Sequence, residues 1–171
     1  MGLRDRAVLG ALAYTGARVG AVAKLRLSDY RNTGEQRSLR FREKGGKDRE
    51  IPVRHDLEGW INEYIAAAGI GEESKASPLF RAGDKTKALT KDDYGAHSMR
   101  QMMKRRLSDA GLPELFSPHS FRVTVVTYLL NQNVPLEDVQ YLAGHSSPTT
   151  TRIYDRRKRK VTRNIVERIS I

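Results

Sequence analysis

Apolar positions recur with helical spacing along most of this chain and alternate in one short region. In the first segment they follow the i, i+1, i+4, i+5 stripe of a helix that buries one face, at Ala7, Val8, Ala11 and Leu12. This stripe predicts a helix from Arg4 to about Gly16, and a second short helix that ends near Leu25.

The alternating region predicts a β-hairpin. Ser38 to Glu43 reads SLRFRE, in which apolar and charged residues take turns as on a half-exposed strand. A second strand is predicted from Asp48 to Val53. Gly45-Gly46 lies between the two strands and supplies the backbone conformations that a tight turn needs.

Further helices are predicted along the rest of the chain. One runs from Leu57 to Ala68, with Asp56 as its cap and Gly69 as its stop. The others are predicted over Thr90–Ala110, with Thr90 as cap, over Pro118–Asn131, over Pro135–Ala143, and over a short last segment that carries Tyr154. Core positions are expected at Met99, Met102, Met103 and Leu107 and at Phe121, Val125, Tyr128 and Leu129. The pattern indicates an α+β chain, mostly helical, with a small antiparallel sheet in its N-terminal half.

Charge and composition narrow the function. Lys and Arg outnumber Asp and Glu by 31 to 20, so the net charge is +11. That excess favours a polyanionic partner, although a solvated basic surface is the alternative. The 171 residues contain no cysteine, which excludes disulfides, thiolate catalysis and cysteine-based metal sites. No apolar run approaches the ~20 residues of a membrane helix, and Asp5 and Arg6 interrupt any signal-peptide core, so a cytoplasmic protein is expected.

The candidate chemistry lies mainly in the last third of the chain. His145 precedes Tyr154 by nine residues within LAGHSSPTTTRIYDR, and His119 and Arg122 are three apart at the start of a predicted helix. Near the N-terminus, Arg18 follows a Thr-Gly pair. Taken singly, each is more often a surface or packing residue.

These residue types suit attack on a phosphodiester. Arg stays protonated and can grip two phosphate oxygens with its planar fork. A tyrosine hydroxyl can be the nucleophile, but its ordinary pKa of about 10 means that it needs a base or a cationic pocket. His titrates near neutrality and can supply either.

Four stretches, in this order, resemble the boxes of the tyrosine recombinase (phage integrase) family. They are YTGARVGAVAKLRLSDY, FREKGGKDREIPV, SPHSFRVTVVTYLL and LAGHSSPTTTRIYDR. The resemblance spans Thr15 to Tyr154. It implies a catalytic domain over residues 1–156, followed by a basic tail over 157–171.

The resemblance also implies roles for particular residues. Tyr154 would attack a DNA phosphate and become linked to its 3′ side, while Lys44 at the hairpin tip would protonate the leaving 5′-oxygen. Arg18 and Arg122 would hold the non-bridging oxygens. His119 and His145 would assist by proton exchange and hydrogen bonding, and no metal or nucleotide cofactor would take part.

One position departs from the family pattern. The family usually has an acidic residue three positions after the first catalytic arginine, where this chain has Ala21. Another group must then orient Arg18, or the site is weakened.

DNA contacts are expected from the long predicted helix and from the hairpin. The basic side of the helix carries Arg100, Lys104, Arg105 and Arg106, and the hairpin adds Lys47, which is also the second choice for the general acid.

The predicted function is site-specific recombination of double-stranded DNA, with other protomers joining on the DNA and a monomer in its absence. Two alternatives stay open. One is a type IB topoisomerase-like nicking and closing enzyme, and the other is a non-catalytic DNA-binding module that keeps the fold.

Overall fold

Helices dominate the chain, which the computed structural model describes at residues 2–42, 48–113 and 115–155. The helices are α1 (Gly2–Thr15), α2 (Val19–Ala23), α3 (His55–Ala68), α4 (Ala96–Asp109), α5 (Pro118–Asn131), α6 (Leu136–Ala143) and α7 (Pro148–Arg152). The strands are β1 (Tyr30–Asn32), β2 (Arg37–Arg42), β3 (Asp48–Pro52), β4 (Arg81–Gly83) and β5 (Leu89–Asp93). The predicted α+β class, mostly helical with a small antiparallel sheet, is confirmed. No described helix has the length and apolar character needed to cross a membrane.

The two predicted strands are present and pair within a three-stranded antiparallel sheet, and the predicted turn at Gly45-Gly46 lies outside the described residues. β2 pairs with β3, with Phe41 opposite Arg49, and β1 adds to the other edge of β2. The sequence pattern did not show β1, because three residues are too few for a visible alternation.

Two apolar clusters divide the described chain. The larger joins α1, the sheet, α3 and α4, and its fully buried members include Leu12, Phe41 and Met102. The smaller lies between α5 and α6, around Val126 and Val139. The candidate residue Arg18 lies among the elements of the larger cluster, and the candidates near the C-terminus lie among those of the smaller cluster. These residues can form one site only if the two clusters pack side by side.

The long helix predicted from Thr90 is wrong in its first turns. Leu89–Asp93 forms β5, which pairs with β4 as a second antiparallel sheet. The Asp84 carboxylate accepts the amide N–H groups of Thr86 and Ala88 and so closes the turn between these strands. The helix begins only at Ala96, after Gly95. Thr90 therefore lies in a strand, because this local turn brings its segment back against β4.

The prediction of which α5 residues face the core also needs correction. The row that turns inward is Arg122, Val126 and Leu130, whereas Tyr128 is 61% exposed. Of the predicted stripe, Phe121 and Leu129 are partly buried and pack against the two apolar clusters, as expected. Tyr128 faces outward, because the fully buried row is the one that contains Arg122.

The basic side of α4 is narrower than predicted. The Arg106 side chain turns toward α1, where its Nη2 donates to the buried Asp5 carboxylate at 2.8 Å. Asp5 also accepts from Arg4 at 2.9 Å. Burying a carboxylate requires such partners, so Arg106 serves to join α4 to α1.

Candidate active site

A single cleft of about 770 Å³ brings together five of the six predicted catalytic residues, namely Arg18, His119, Arg122, His145 and Tyr154. They come from the start of α2, from α5, and from the segment that surrounds α7. Lys44, the sixth, lies outside the described residues, as does Lys47.

Arg122 is held inside the protein by the Thr-Gly turn of the first box. Its Nη1 donates to the Gly16 carbonyl at 2.7 Å, and the residue is only 4% exposed. Gly16 adopts a left-handed φ of +59°. The Thr15 hydroxyl accepts the Ala17 N–H at 3.2 Å and fixes the same turn. The turn that ends α1 therefore aims an arginine of α5.

Arg18 has a backbone carbonyl as its partner. Its Nη1 donates to the Gly144 carbonyl at 3.3 Å, at the C-terminal end of α6. Ala21 also lines the cleft and has no carboxylate to offer. The Gly144 carbonyl thus orients Arg18, in place of the carboxylate that the sequence lacks at position 21.

His145 is fixed on three sides. Its N–H donates to the Gln140 carbonyl at 3.1 Å, and its own carbonyl accepts from Gln140 Nε2 at 3.1 Å. Its Nδ1 lies 2.9 Å from Thr151 Oγ1. These contacts are possible because Gly144 turns left-handed at φ +64° and ends α6. The ring is therefore locked, and its Nε2 is the nitrogen left for the cleft.

The electrostatic setting keeps the His145 imidazole neutral. Burial lowers its pKa to about 4, and the positive charges of Arg122, Arg18 and Arg49 and the nearby His119 act in the same direction. At pH 7 the ring is therefore neutral, and one of its two nitrogens can accept a hydrogen bond.

Tyr154 stacks on His145. The two ring centroids are 5.8 Å apart, with planes only 8° from parallel. Tyr154 was predicted on the last helix, but it lies just after α7, where its N–H donates to the Thr151 carbonyl at 3.1 Å. Its ring also packs against the cluster around Val126. The helix is too short to carry it, and the Thr151 turn holds it beside His145 instead.

The cleft is strongly basic. Of the described residues that line it, six are Arg or Lys and none is Asp or Glu: Arg18, Lys24, Arg42, Arg100, Lys104 and Arg122. Lys24 and Arg42 were not singled out from the sequence, since one lysine and one strand arginine carry no distinctive pattern. Such a surface concentrates an anionic ligand.

The predicted DNA contacts on α4 fall into two groups. Arg100 and Lys104 line the cleft, four residues apart on one side of the helix. Arg105 lies on a different side, among residues of α4 that face Tyr94 and Leu112.

Three further residues support the site and were missed. Gln140 and Thr151 hold His145, as described above, and Arg49 of β3 donates to the Leu142 carbonyl. The Thr-rich run before Tyr154 was a visible signal for Thr151. The other two act through contacts with residues that the sequence alone does not place beside them.

Comparison with known proteins identifies the family and the relatives that this sequence resembles. The model of the phage integrase family matches residues 1–160. The chain is 35% identical over 156 residues to tyrosine recombinase XerD of Corynebacterium glutamicum, covering 89% of the chain and 48% of that protein. It is 34% identical over 154 residues to tyrosine recombinase XerC of Rhodospirillum centenum, covering 90% of the chain and 42% of that protein. The chain thus spans less than half the length of these relatives.

Solved structures show the same fold. A crystal structure of XerA recombinase superposes with a TM-score of 0.72 at 23% identity, covering 96% of this chain and 55% of that one. XerH site-specific recombinase, in a post-cleavage complex with a palindromic difH substrate, superposes with a TM-score of 0.70 at 24% identity. That match covers 89% of this chain and 42% of XerH.

Proposed function

The chain belongs to the phage integrase family, and on that premise we propose that it is the catalytic domain of a tyrosine-type site-specific DNA recombinase. The observation that carries the proposal is the basic cleft in which Tyr154 stacks on a neutral His145 beside two arginines. A non-catalytic module would not need a nucleophile, a base and two guanidinium groups in one place.

The proposed step is a transesterification. The Tyr154 hydroxyl oxygen attacks phosphorus, a P–Oη bond forms, and the bond from phosphorus to the 5′-oxygen breaks. The phenolic proton passes to a base, a role we assign to His145 because its neutral ring stacks on Tyr154. A phosphate anion in the cleft offsets the positive charges that lower the His145 pKa and so makes the ring a stronger base. Lys44 gives a proton to the leaving 5′-oxygen. The phosphotyrosyl bond conserves the energy, so a 5′-hydroxyl from another strand can reverse the step.

The arginines act on the charge of the transition state. Arg122 is aimed by Gly16 and Arg18 by Gly144. Guanidinium groups that are already held in place need no reorganisation when negative charge builds up on the non-bridging oxygens. His119, at the start of α5 and on the cleft surface, is assigned a hydrogen bond to the same phosphate.

The proposed partners follow from the chemistry. The substrate is double-stranded DNA, which the relatives' names and the XerH complex also support. Other protomers join on the DNA, and without it we expect a monomer in light scattering. We place the protein in the cytoplasm, with the nucleoid.

A covalent trap tests the function. Nicked duplexes of randomised sequence are incubated with the full chain, so that a short 5′-hydroxyl fragment is lost after cleavage and the protein stays attached to DNA. The wild-type chain should give a denaturant-resistant adduct and Tyr154→Phe none. Tyr141→Phe, which changes an exposed tyrosine outside the cleft, is the matched control and should keep the adduct.

Failure of the wild type to form any adduct would overturn the proposal, and so would an adduct on Tyr154→Phe. A strand-exchange assay against a supercoil-relaxation assay on the trapped sequences then separates recombination from nicking and closing.

A further inference from the structure

A buried arginine of the sheet reaches the catalytic segment without lining the cleft. Arg49 lies on β3 and is 4% exposed. Its guanidinium sits 4.9 Å from the centroid of the Phe41 ring, its partner across the hairpin. Its Nη1 donates to the carbonyl of Leu142, 93 residues further along the chain. A guanidinium in such a place is held in one geometry, because a buried charge must keep its partners.

The acceptor is at the end of α6, directly before His145. The last carbonyls of a helix have no partner within the helix and carry the negative end of its dipole. Arg49 binds one of these carbonyls, that of Leu142, and Arg18 binds the next but one, that of Gly144. Two arginines from the N-terminal half therefore hold the turn on which His145 is mounted.

The strand that carries Arg49 also leads to the proposed general acid. Lys44 lies in the sequence between β2 and β3, whose described ends are Arg42 and Asp48. β3 and α6 are in contact, and Arg49 reaches from one to the other.

We propose that Arg49 is a positioning residue of the cleavage reaction, which fixes the Leu142–His145 turn against the strand that follows Lys44. It thereby holds the turn that carries His145 in place beside Arg18, which binds the same turn through the Gly144 carbonyl. The inference rests on the proposed function.

The test compares Arg49→Met and Arg49→Lys with a matched control. Arg81→Met removes another buried arginine, which lies on β4 of the second sheet and pairs with Glu73. Cleavage is measured as the single-turnover rate on a duplex whose sequence gave the covalent adduct. Urea unfolding gives the folded fraction of each variant, and the rates are compared at equal concentrations of folded protein. Arg49→Met should slow cleavage by roughly tenfold to a hundredfold, as a displacement of catalytic groups by about 1 Å does. Arg49→Lys should recover part of this loss, and Arg81→Met should cleave at the wild-type rate. Equal losses in Arg49→Met and Arg81→Met would overturn the proposal.

A double-mutant cycle asks whether Arg49 acts through His145. In the His145→Ala background the group to be positioned is gone, so Arg49→Met should cost much less than it does in the wild type. Fully additive losses would overturn the proposal.

A readout without DNA keeps this inference separable from the proposed function. NMR follows the titration of His145 and the hydrogen exchange of its amide, which is bonded to the Gln140 carbonyl. The charges that face His145 are those of Arg122, Arg18, Arg49 and His119. Arg49→Met should raise the His145 pKa from about 4 and speed exchange of that amide, whereas Arg81→Met should change neither. If the wild type forms no adduct, the proposed function is contradicted, but the NMR measurement still tests whether Arg49 positions His145. An unchanged His145 in Arg49→Met contradicts the positioning role.

Discussion

The Arg122 guanidinium donates to the carbonyl of Gly16, so the turn that ends the first helix aims an arginine 106 residues further along the chain. Gly16 is left-handed, and a Cβ there would meet Val125 and Leu142 at 3.6 Å, at ordinary contact distance. The glycine is thus required by its backbone conformation more than by lack of space.

Gly16→Ala should therefore reduce both stability and cleavage. A left-handed alanine costs about 1–2 kcal/mol, and relaxing the turn shifts the carbonyl that holds Arg122. A cleavage loss of about tenfold corresponds to ~1.4 kcal/mol in the transition state. Urea unfolding and single-turnover cleavage measure the two effects. Gly59→Ala is the control, since Gly59 is exposed within α3 and meets nothing within 4 Å. It should stabilise the protein by about 0.5–1 kcal/mol and leave cleavage intact.

Charge stabilisation and proton donation can be told apart chemically. Arg122→Ala should slow cleavage by about a hundredfold or more, and Lys44→Ala should also slow it. A duplex with sulfur in place of the bridging 5′-oxygen has a leaving group that needs no proton. This substrate should restore Lys44→Ala and leave Arg122→Ala slow. If Lys47→Ala is the variant restored, the acid is Lys47.

Restoring a carboxylate at position 21 should have little effect. Gly144 already accepts from Arg18, so Ala21→Glu should leave the cleavage rate within about threefold of the wild type, a difference under ~1 kcal/mol. Ala21→Gln is the matched uncharged variant. A large gain confined to Ala21→Glu would show that the carbonyl is a poor substitute for the acid.

DNA affinity should depend strongly on salt. With roughly six phosphate contacts, log K should fall with log salt at a slope of about −5. Arg100→Ala and Lys104→Ala, in the cleft, should each make that slope shallower by about one. Arg105→Ala should change it less, because Arg105 does not line the cleft. Fluorescence anisotropy on a fixed duplex gives the slopes, and a slope near zero for the wild type would contradict a phosphate-binding cleft.

Stability should fall as the pH falls from about 6.5 to about 4. His145 binds a proton less readily when folded, where its pKa is about 4 against an ordinary 6.5. In this window the unfolded chain takes up more protons, so the free energy of unfolding falls by on the order of 3 kcal/mol at the lower end. Urea midpoints against pH measure this. His145→Gln should flatten that part of the curve, and His97→Gln, at an exposed histidine, should not.

Local sequence determined much of the fold. Gly69 ends its helix in the left-handed conformation, as its position predicted, and Gly144 adopts the same conformation directly after the predicted helix end at Ala143. The alternation of SLRFRE predicted the strand β2, which pairs with β3. Pro118 marks the start of α5. Such features depend on neighbouring residues only, so they can be read in order along the chain. The four boxes likewise pointed to five residues that share one cleft.

Tertiary contacts decided the rest. The sequence predicts Thr90 as a helix cap, but in the structure its segment pairs with β4 and forms a strand. Lys104 and Arg106 are both basic residues of α4, yet Lys104 lines the cleft, whereas Arg106 turns toward α1, where the buried Asp5 carboxylate binds it. The partners that aim Arg18, Arg122 and Arg49 are backbone carbonyls. Every residue has such a carbonyl, so only the packing of distant elements selects which one binds an arginine.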